Sequence, residues 1–171
     1  MDAETKTDEK PAHSSLKIRR ARSEDIDHVI ALDARITGLA KPDYWHDIFE
    51  RYRQRRLEER FFLVAVSDQH PETILGYVVG EIRAWEFGST PCGWVFALSV
   101  DPDARLQHIG ERLFEAISDE FRRAGVDKLR TMVARDTPLH MTFFRSEGMM
   151  AGPYIQLEKS IETPTKSKTE S

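Results

Sequence analysis

The residues with the clearest chemistry follow a hydrophobic strand and open an amphipathic helix. The run from Arg105 to Glu111, RLQHIGE, comes directly after Leu98 to Pro102, LSVDP. A helix that begins at such a turn leaves its first backbone N–H groups without partners inside the helix. These groups and the helix dipole bind phosphate-type anions. The stretch from Trp94 to Arg123 therefore predicts a site for one anionic cofactor, with the rest of the chain as its scaffold.

The elements before this stretch are predicted from hydrophobic spacing. Alternation from Leu16 to Arg19 predicts a short strand, and Ser23 is the predicted N-cap of the helix that follows. A second helix is expected to begin near Pro42, because proline suits a first helical turn. Buried strands are predicted at 61–66 and 74–85, and their short connections favour antiparallel pairing.

The elements after it predict a parallel crossover. The strand beginning at Trp94, a helix, and a strand at 127–134 form a right-handed βαβ unit. A short helix at 137–145, with Thr137 as its N-cap, and a last strand at 149–158 complete the order β-α-α-β-β-β-α-β-α-β. Glycines are predicted to end three of the helices: Gly38, Gly125 and Gly148.

Composition narrows the class of protein. The 171 residues are 40% hydrophobic and 32% charged, with a net charge of −4, which indicates a globular protein and not a general nucleic-acid binder. One domain is expected at 16–160, between polar tails at 1–15 and 161–171 that are predicted to be disordered. The single cysteine, the polar N-terminus and the lack of a membrane-length apolar run predict a cytoplasmic protein without a membrane partner.

The chain resembles the GNAT family of acyl-CoA-dependent N-acyltransferases over roughly 16–159. The Val-Asp-Pro turn, Arg105, Ile109 and Gly110 match the family's most specific motif. An aromatic pair, Phe143-Phe144, followed closely by Gly148-Met149, is similar to a second signature. The resemblance implies an α/β fold with a mixed sheet: antiparallel N-terminal strands, a central parallel βαβ crossover, and splayed fourth and fifth strands.

The resemblance implies acetyl-CoA as cosubstrate and no metal. The pyrophosphate would be bound by the motif and its backbone, and Leu98 to Val100 would offer main-chain hydrogen bonds to the pantetheine arm. A backbone N–H near Leu98 would polarise the thioester carbonyl. Phe144 is expected to pack against the cofactor arm. The implied cofactor residues are Leu98, Ser99, Val100, Arg105, Leu106, Gln107, His108, Ile109, Gly110, Glu111 and Phe144.

His108 departs from the motif because it stands where the family has glycine. A histidine is tolerable there if its φ is negative. Its imidazole then either adds a hydrogen bond to phosphate or is a surface side chain without a role.

The acid and base of the reaction are not obvious from the motif. Family members often carry a glutamate on the fourth or fifth strand, where this chain has Trp94 and Met132. Glu81 on the third strand is the remaining candidate base, since an amine of pKa about 10.4 must lose a proton before it attacks. Phe144 replaces a tyrosine that protonates the departing thiolate in many relatives, so Tyr154 is the candidate acid.

Other chemistry is less favoured. A Cys92–His140 pair would suggest a covalent intermediate, but the family places the Pro-Cys-Gly turn away from the thioester. The histidines lack metal-ligand spacing.

Three functions stay open. An acetyltransferase acting on a small amine, a protein lysine or an N-terminus, as a monomer or homodimer, is the first. The second is a non-catalytic acyl-CoA-binding module, and the third, least favoured, is a nucleic-acid binder using the arginines between Arg51 and Arg60.

Overall fold

The computed structural model describes residues 16–54 and 56–161, in which nine regular elements are formed. They are β1 (Leu16–Arg20), α1 (Ile26–Thr37), α2 (Pro42–Gln54), β2 (Arg60–Ser67), β3 (Ile74–Arg83), β4 (Cys92–Val100), α3 (Ile109–Arg123), β5 (Leu129–Arg130) and α4 (Pro138–Ser146). The chain divides into two compact units, one ending at Met132 and one beginning at Val133. Except for Ile161, the two predicted tails lie outside the described residues.

The first unit contains a five-stranded mixed sheet in the order β1-β2-β3-β4-β5. The pairs from β1 to β4 are antiparallel and β4 pairs with β5 in parallel, which confirms the predicted meander and crossover. The strand β3 ends at Arg83, two residues before the prediction. Trp85 has a φ of 61°, a left-handed conformation that does not continue a strand.

Helices cover both faces of this sheet. On one face, α1 and α2 contribute Val29, Trp45 and Tyr52 to a core that continues onto β2 and β3. On the other face, α3 packs through Leu113, Ile117 and Phe121. These residues recur every four positions along α3. This spacing places them on one face, which packs the helix against the strands that lead into the cofactor motif.

Two glycines let α3 lie close to the sheet at the end of β3 and the start of β4. A Cβ atom at Gly93 would lie 2.5 Å from the Phe121 ring, and one at Gly80 would lie 2.6 Å from the backbone oxygen of Trp94. Such distances are too short for real contacts, so only glycine fits. This face of the sheet is thereby closed by the helix.

The helix caps differ from the sequence predictions at the start of α1. Asp25, not Ser23, satisfies the exposed donors: its Oδ2 accepts hydrogen bonds from the Arg22 backbone N–H and from Arg19 Nη1, both at 2.6 Å. Burial alone would raise the pKa of this carboxyl, but the bonds from Arg19 and Arg22 outweigh it and lower the pKa. Asp25 takes this role in place of Ser23 because its carboxylate also accepts a hydrogen bond from Arg19 of β1.

The predicted glycines do end their helices. Left-handed φ angles of 76°, 81° and 83° follow α1, α3 and α4 at Gly38, Gly125 and Gly148.

The second unit contains α4, with Pro138 in its first turn and Thr137 at the N-cap position but without a side-chain cap bond. Taken by itself, this unit has no strand over 147–161, where a last strand was expected at 149–158. A strand requires a partner strand, and the described part of this unit offers none.

Candidate active site

The edge of β4 opens beyond Trp94. The strand β5 pairs with β4 only through Leu129 opposite Gly93 and Arg130 opposite Trp94, where a strand over 127–134 was predicted. The next residue, Thr131, donates its side-chain hydroxyl to the Val95 carbonyl at 2.8 Å, which takes the place of a further backbone pair. The two strands therefore separate, as the family resemblance predicted.

A bulge in β4 lies at this point of separation. Val79 of β3 pairs with Ala97 and Gly80 pairs with Val95, so that Phe96 is the extra residue. A bulge bends its strand and increases the local twist. The Phe96 ring packs at 5.9 Å against Tyr52 of α2, which ties the bend to the helix layer.

The predicted pantetheine residues lie on the part of β4 that follows the bulge. Leu98, Ser99 and Val100 pair on one side with Val78, Tyr77 and Gly76 of β3. None of the β4–β5 pairs in the described part of the chain involves them. An unpaired strand edge presents N–H and C=O groups to an extended ligand, so this segment can accept the arm of a cofactor as an added strand.

The side chain of Ser99 points into a polar cluster under α1 and α2. It lies opposite Tyr77 in the β3–β4 ladder, and the Tyr77 hydroxyl donates to Asp33 Oδ1 at 3.3 Å. Asp33 further accepts hydrogen bonds from Trp45 Nε1 at 2.9 Å and pairs with Lys41 Nζ at 2.8 Å. Burial, followed by the charge of Asp33, raises the pKa of Tyr77 well above its usual value. Ser99 is thus oriented by the core, and its backbone faces the strand edge.

The turn after β4 is fixed by charge. Asp101 caps it by accepting the backbone N–H of Asp103 at 2.9 Å. Arg35 of α1 donates to Asp101 Oδ1 at 2.5 Å and to Asp103 Oδ2 at 3.2 Å. These contacts hold the path from the strand edge to the start of α3.

The motif itself forms two structures instead of one helix. Pro102–Gln107 is a 3₁₀ helix, and α3 begins only at Ile109. The side chains of Arg105, Leu106 and Gln107 lie outside the described part of the structure, so their contacts stay predictions. Across the first turn of the new helix, the Arg112 N–H donates to the His108 carbonyl at 3.1 Å. The N–H groups of Ile109, Gly110 and Glu111 precede that bond and lie at the helix start, where anions bind.

His108 does not meet the condition of a negative φ. Its φ is 54°, in the left-handed region, because the chain must turn sharply from the 3₁₀ helix into α3. Glycine adopts this conformation without strain, and L-residues with a side chain adopt it at a cost. The imidazole is exposed, and its Nδ1 lies 2.8 Å from Glu111 Oε2. In this structure the ring is therefore bound to a neighbouring carboxylate.

Glu81 lies on the face of the sheet that α1 and α2 cover, at the level where β4 and β5 separate. Its Oε2 accepts a hydrogen bond from the Tyr52 hydroxyl at 2.8 Å, and its Oε1 accepts one from Arg83 Nε at 3.1 Å. Arg60 Nε lies 3.9 Å from Oε2. The carboxylate is about a quarter exposed, so it is held in place and still accessible.

Tyr52 remains a donor to this carboxylate across the physiological range. Burial is the main cause that raises its pKa well above the usual value, and the bond to Glu81 raises it further. The protonated phenol donates its hydrogen to Glu81 Oε2 and so fixes the position of that oxygen.

Trp94 also belongs to this site, although the sequence marked it only as a residue in place of a glutamate. It lies directly opposite Glu81 in the β3–β4 ladder, and the Arg83 guanidinium lies 4.8 Å from the centre of its ring. Its indole Nε1 is buried, and no hydrogen-bond partner for it occurs among the described residues. Only the strand register brings these three side chains together, and no local spacing in the sequence encodes that register.

Three further residues singled out in the sequence are Cys92, Phe144 and Tyr154. Phe144 and Tyr154 belong to the second unit, where Phe144 packs edge-on against Phe143 at 5.2 Å between ring centres, and their roles stay predictions. Cys92 is buried, with Arg130 Nη1 at 3.4 Å from its sulfur.

Neither a metal site nor a membrane-spanning helix is found among the described residues. Over the described residues, no group of histidine, cysteine and acidic side chains is placed to hold a metal ion. No helix in residues 16–54 or 56–161 is long and apolar enough to span a membrane.

Comparison with solved structures places the fold. An aminoglycoside N-acetyltransferase solved in complex with CoA matches 88% of this chain and 97% of its own, at 16% identity and a TM-score of 0.75. Glucosamine-6-phosphate N-acetyltransferase from Arabidopsis thaliana matches 86% of this chain and 99% of its own, at 19% identity and a TM-score of 0.67. At these identities the likeness concerns the fold alone.

Sequence comparison gives the family. A mycothiol acetyltransferase from Kocuria rhizophila is 29% identical over 102 residues, which are 60% of this chain and 34% of that protein. The chain thus spans about a third of the length of this curated relative. The model of the acetyltransferase (GNAT) family matches residues 26–144. The match covers the strand edge, the helix start and Glu81 alike, and the chain belongs to the GNAT acetyltransferase family.

Proposed function

We propose that this protein transfers the acetyl group of acetyl-CoA to a primary amine by direct attack of the amine on the thioester. The observation that carries the proposal is the unpaired edge of β4 from Leu98 to Val100, which leads through the 3₁₀ helix Pro102–Gln107 to the start of α3. An extended arm and a pyrophosphate are joined in this order in CoA. The two features therefore fit one ligand.

The cofactor would lie along these two features. Main-chain groups of Leu98, Ser99 and Val100 would bind the pantetheine amides, and an N–H near Leu98 would polarise the thioester carbonyl. The backbone from Arg105 to Glu111 would surround the pyrophosphate, which needs donors but no lysine. Phe144 would pack against the arm.

The amine would approach from the face that α1 and α2 cover. The opposite face is closed where α3 packs on Gly80 and Gly93. Glu81 lies on the accessible face and is aimed by Tyr52 and Arg83. We therefore assign Glu81 as the general base that takes the proton of the attacking ammonium, directly or through a water molecule.

The bonds and protons balance in a single displacement. The amine nitrogen forms a bond to the acetyl carbon, the carbon–sulfur bond breaks, and the electron pair leaves on the CoA sulfur. The thiol has a pKa of about 8.5, so the thiolate leaves without obligatory protonation, and Tyr154 would assist as an acid. Glu81 returns its proton to solvent before the next cycle.

The acceptor is a primary amine on a small molecule or a protein, used by a cytoplasmic monomer or homodimer. The names of the relatives above refer to aminoglycosides, glucosamine-6-phosphate and mycothiol. Beside Glu81 stand two arginines, Arg60 and Arg83, so the carboxylate is outnumbered by positive charge. This arrangement disfavours a polycationic acceptor.

Single-turnover transfer from labelled acetyl-CoA to a panel of amines and lysine peptides tests the proposal. Transfer well above the rate without protein supports it. Binding of CoA without transfer to any amine would instead support a non-catalytic acyl-CoA-binding module, which the tryptophan at position 94 favours.

A pair of variants tests the cofactor site separately. Gly110→Trp places a large side chain at the helix start and should abolish CoA binding measured by calorimetry, while the circular dichroism spectrum is unchanged. Glu115→Trp, on an exposed position of the same helix, is the matched control and should bind normally. Equal affinity of the two variants would remove the helix start from the cofactor site.

A further inference from the structure

Two hydrogen-bond donors beside Glu81 are unused. The buried Trp94 Nε1 has no partner among the described residues. Arg83 donates its Nε to Glu81 Oε1, and no bond from its two terminal nitrogens to the described residues occurs. The Arg83 guanidinium lies over the indole ring, 4.8 Å from its centre, so both sets of donors belong to one stacked pair of side chains.

An unused buried donor is unusual enough to require an explanation. Most buried N–H groups are paired, and those that are not are destabilising or functional. The other tryptophan indole in the core, Trp45, follows the rule, since its Nε1 bonds Asp33. Trp94 does not follow this rule. It lies at the end of the sheet where β4 and β5 separate, and its Nε1 has no partner among the described residues.

The charge beside Trp94 indicates what would complete it. Arg60 and Arg83 contact the single carboxylate of Glu81, so one positive charge is in excess. A ligand group that satisfies an indole N–H and a guanidinium together must be an acceptor with negative charge. Water would satisfy the N–H but would leave the charge in excess.

We propose that Trp94 Nε1 and the terminal nitrogens of Arg83 bind an oxyanion of the acceptor, so that the preferred substrates are amines that also carry a carboxylate or a phosphate. The inference rests on the proposed acetyl transfer and specifies its substrate class. The oxyanion belongs to the acceptor and not to CoA, because the donors lie on the face opposite α3, whose start would bind the CoA phosphates.

The role proposed is one of selection, separate from the chemistry of Glu81. Arg83 uses different nitrogens for the two tasks: Nε positions the carboxylate, and the terminal pair binds substrate. Trp94 Nε1 has no hydrogen-bond partner among the described residues, so Trp94 is the cleaner residue to change. Arg83 is about one-third exposed, and the rotation of this side chain would admit the ligand to the indole.

Matched substrates measure the preference directly. An ω-amino acid and its amide have similar amines when several methylenes separate the two ends, and they differ in charge at the far end. We expect kcat/KM of the wild-type protein to be about 10- to 100-fold higher for the acid, over chain lengths that fit. Aminoalkyl phosphates against the corresponding amino alcohols form the second arm, which distinguishes phosphate from carboxylate recognition.

Variants assign the preference to these residues. Trp94→Phe keeps an aromatic ring under Arg83 and removes the N–H, and it should reduce the acid-to-amide ratio several-fold. Arg83→Gln should bring the ratio close to one. Arg122→Gln, an exposed arginine near the end of α3, is the control and should keep the wild-type ratio. A loss of rate that is equal for acid and amide would assign Arg83 to the positioning of Glu81 alone.

A binding measurement avoids dependence on catalysis. The three tryptophans, labelled with ¹⁵N, give three indole signals: Trp45 is bonded to Asp33, Trp85 is largely exposed, and Trp94 is unpaired. Addition of the preferred amino acid to the CoA complex should move the Trp94 signal downfield and leave the other two. An unmoved Trp94 signal, or equal rates with acids and amides, would overturn the inference while the acetyl transfer stands. Absence of transfer to every amine would overturn the proposed function instead.

Discussion

The Tyr52 hydroxyl donates to Glu81 Oε2 at 2.8 Å and joins the end of α2 to the end of β3. The phenol is buried, packs at 5.9 Å against Phe96 at the β4 bulge, and lies under the Arg60 guanidinium. The orientation of the carboxylate is therefore set by the same side chain that contacts the bent strand. Tyr52 therefore links Glu81, the proposed base, to β4, the strand along which the thioester would lie.

Substitution of Glu81 by glutamine tests its assignment as the base. The amide keeps the size of the side chain but cannot accept a proton, so we expect kcat to fall by about 10²- to 10⁴-fold. CoA affinity, measured by calorimetry, should not change, because the cofactor features lie on β4 and α3. Glu115→Gln on the exposed side of α3 is the control. A rate within two-fold of wild type, by the same assay, would exclude Glu81 from proton transfer.

Alkaline pH should destabilise the fold through Tyr52. Its pKa is raised from the usual 10.0 in the folded state, so the unfolded chain releases this proton first. Stability is then fully present below about pH 10 and is lost as pH rises towards the raised pKa, by about 1.36 kcal/mol per pH unit for each such group. Tyr77 acts with the same sign.

Denaturant unfolding from about pH 9 to about pH 11.5 measures this loss. Tyr52→Phe should reduce the slope of the unfolding free energy against pH by about 1.36 kcal/mol per pH unit. Tyr77→Phe should do the same independently. The Tyr52 variant should also be less stable at neutral pH by about 1–3 kcal/mol, since it removes a hydrogen bond to a charged group. An unchanged slope would contradict the raised pKa.

The sequence predicted the sheet because its evidence is local. Short connections require antiparallel neighbours, and the long helical connection through Leu113 and Phe121 requires a parallel crossover. Those rules depend on few residues and were confirmed for the pairs β2–β3, β3–β4 and β4–β5. The extent of β5 was overestimated, because the hydrophobic run continues after the point where the strands separate.

The site was harder to predict because it depends on register and on unusual backbone angles. The cofactor motif was visible as a spacing, but the left-handed His108 was not, since nothing in its neighbours specifies the sign of φ. Trp94 was noted for what it lacks, a carboxylate. Its unpaired Nε1 emerges only when the ladder places it opposite Glu81 and beside Arg83.

The strain at His108 can be relieved. With a φ of 54°, a residue with a Cβ costs roughly 1 kcal/mol more than glycine, and the exposed contact with Glu111 contributes less than that. We expect His108→Gly to be more stable than His108→Ala by about 1 kcal/mol in urea unfolding. The comparison removes the imidazole in both variants, so it isolates the backbone angle. Equal stabilities would mean that the turn relaxes to a negative φ.

The close approach of α3 to the sheet predicts a specific effect at Gly93. A methyl group there would lie 2.5–2.7 Å from atoms of the Phe121 ring, so the ring or the strand must shift. Gly93→Ala should therefore destabilise the fold by about 1–3 kcal/mol, the usual cost of overpacking a core. Because Gly93 pairs with Leu129 in the only β4–β5 ladder of the described chain, the variant should also increase hydrogen exchange of the β5 amides.

The matched control is Gly152→Ala, because no atom lies within 4 Å of a Cβ at that position, and its stability should stay within about 0.5 kcal/mol of wild type. A second test adds Phe121→Leu to Gly93→Ala. The smaller side chain makes room for the methyl group, so the double variant should be more stable than the sum of the two single changes by about 1 kcal/mol. Additive effects would show that the cost at Gly93 arises in the strand backbone and not against the helix.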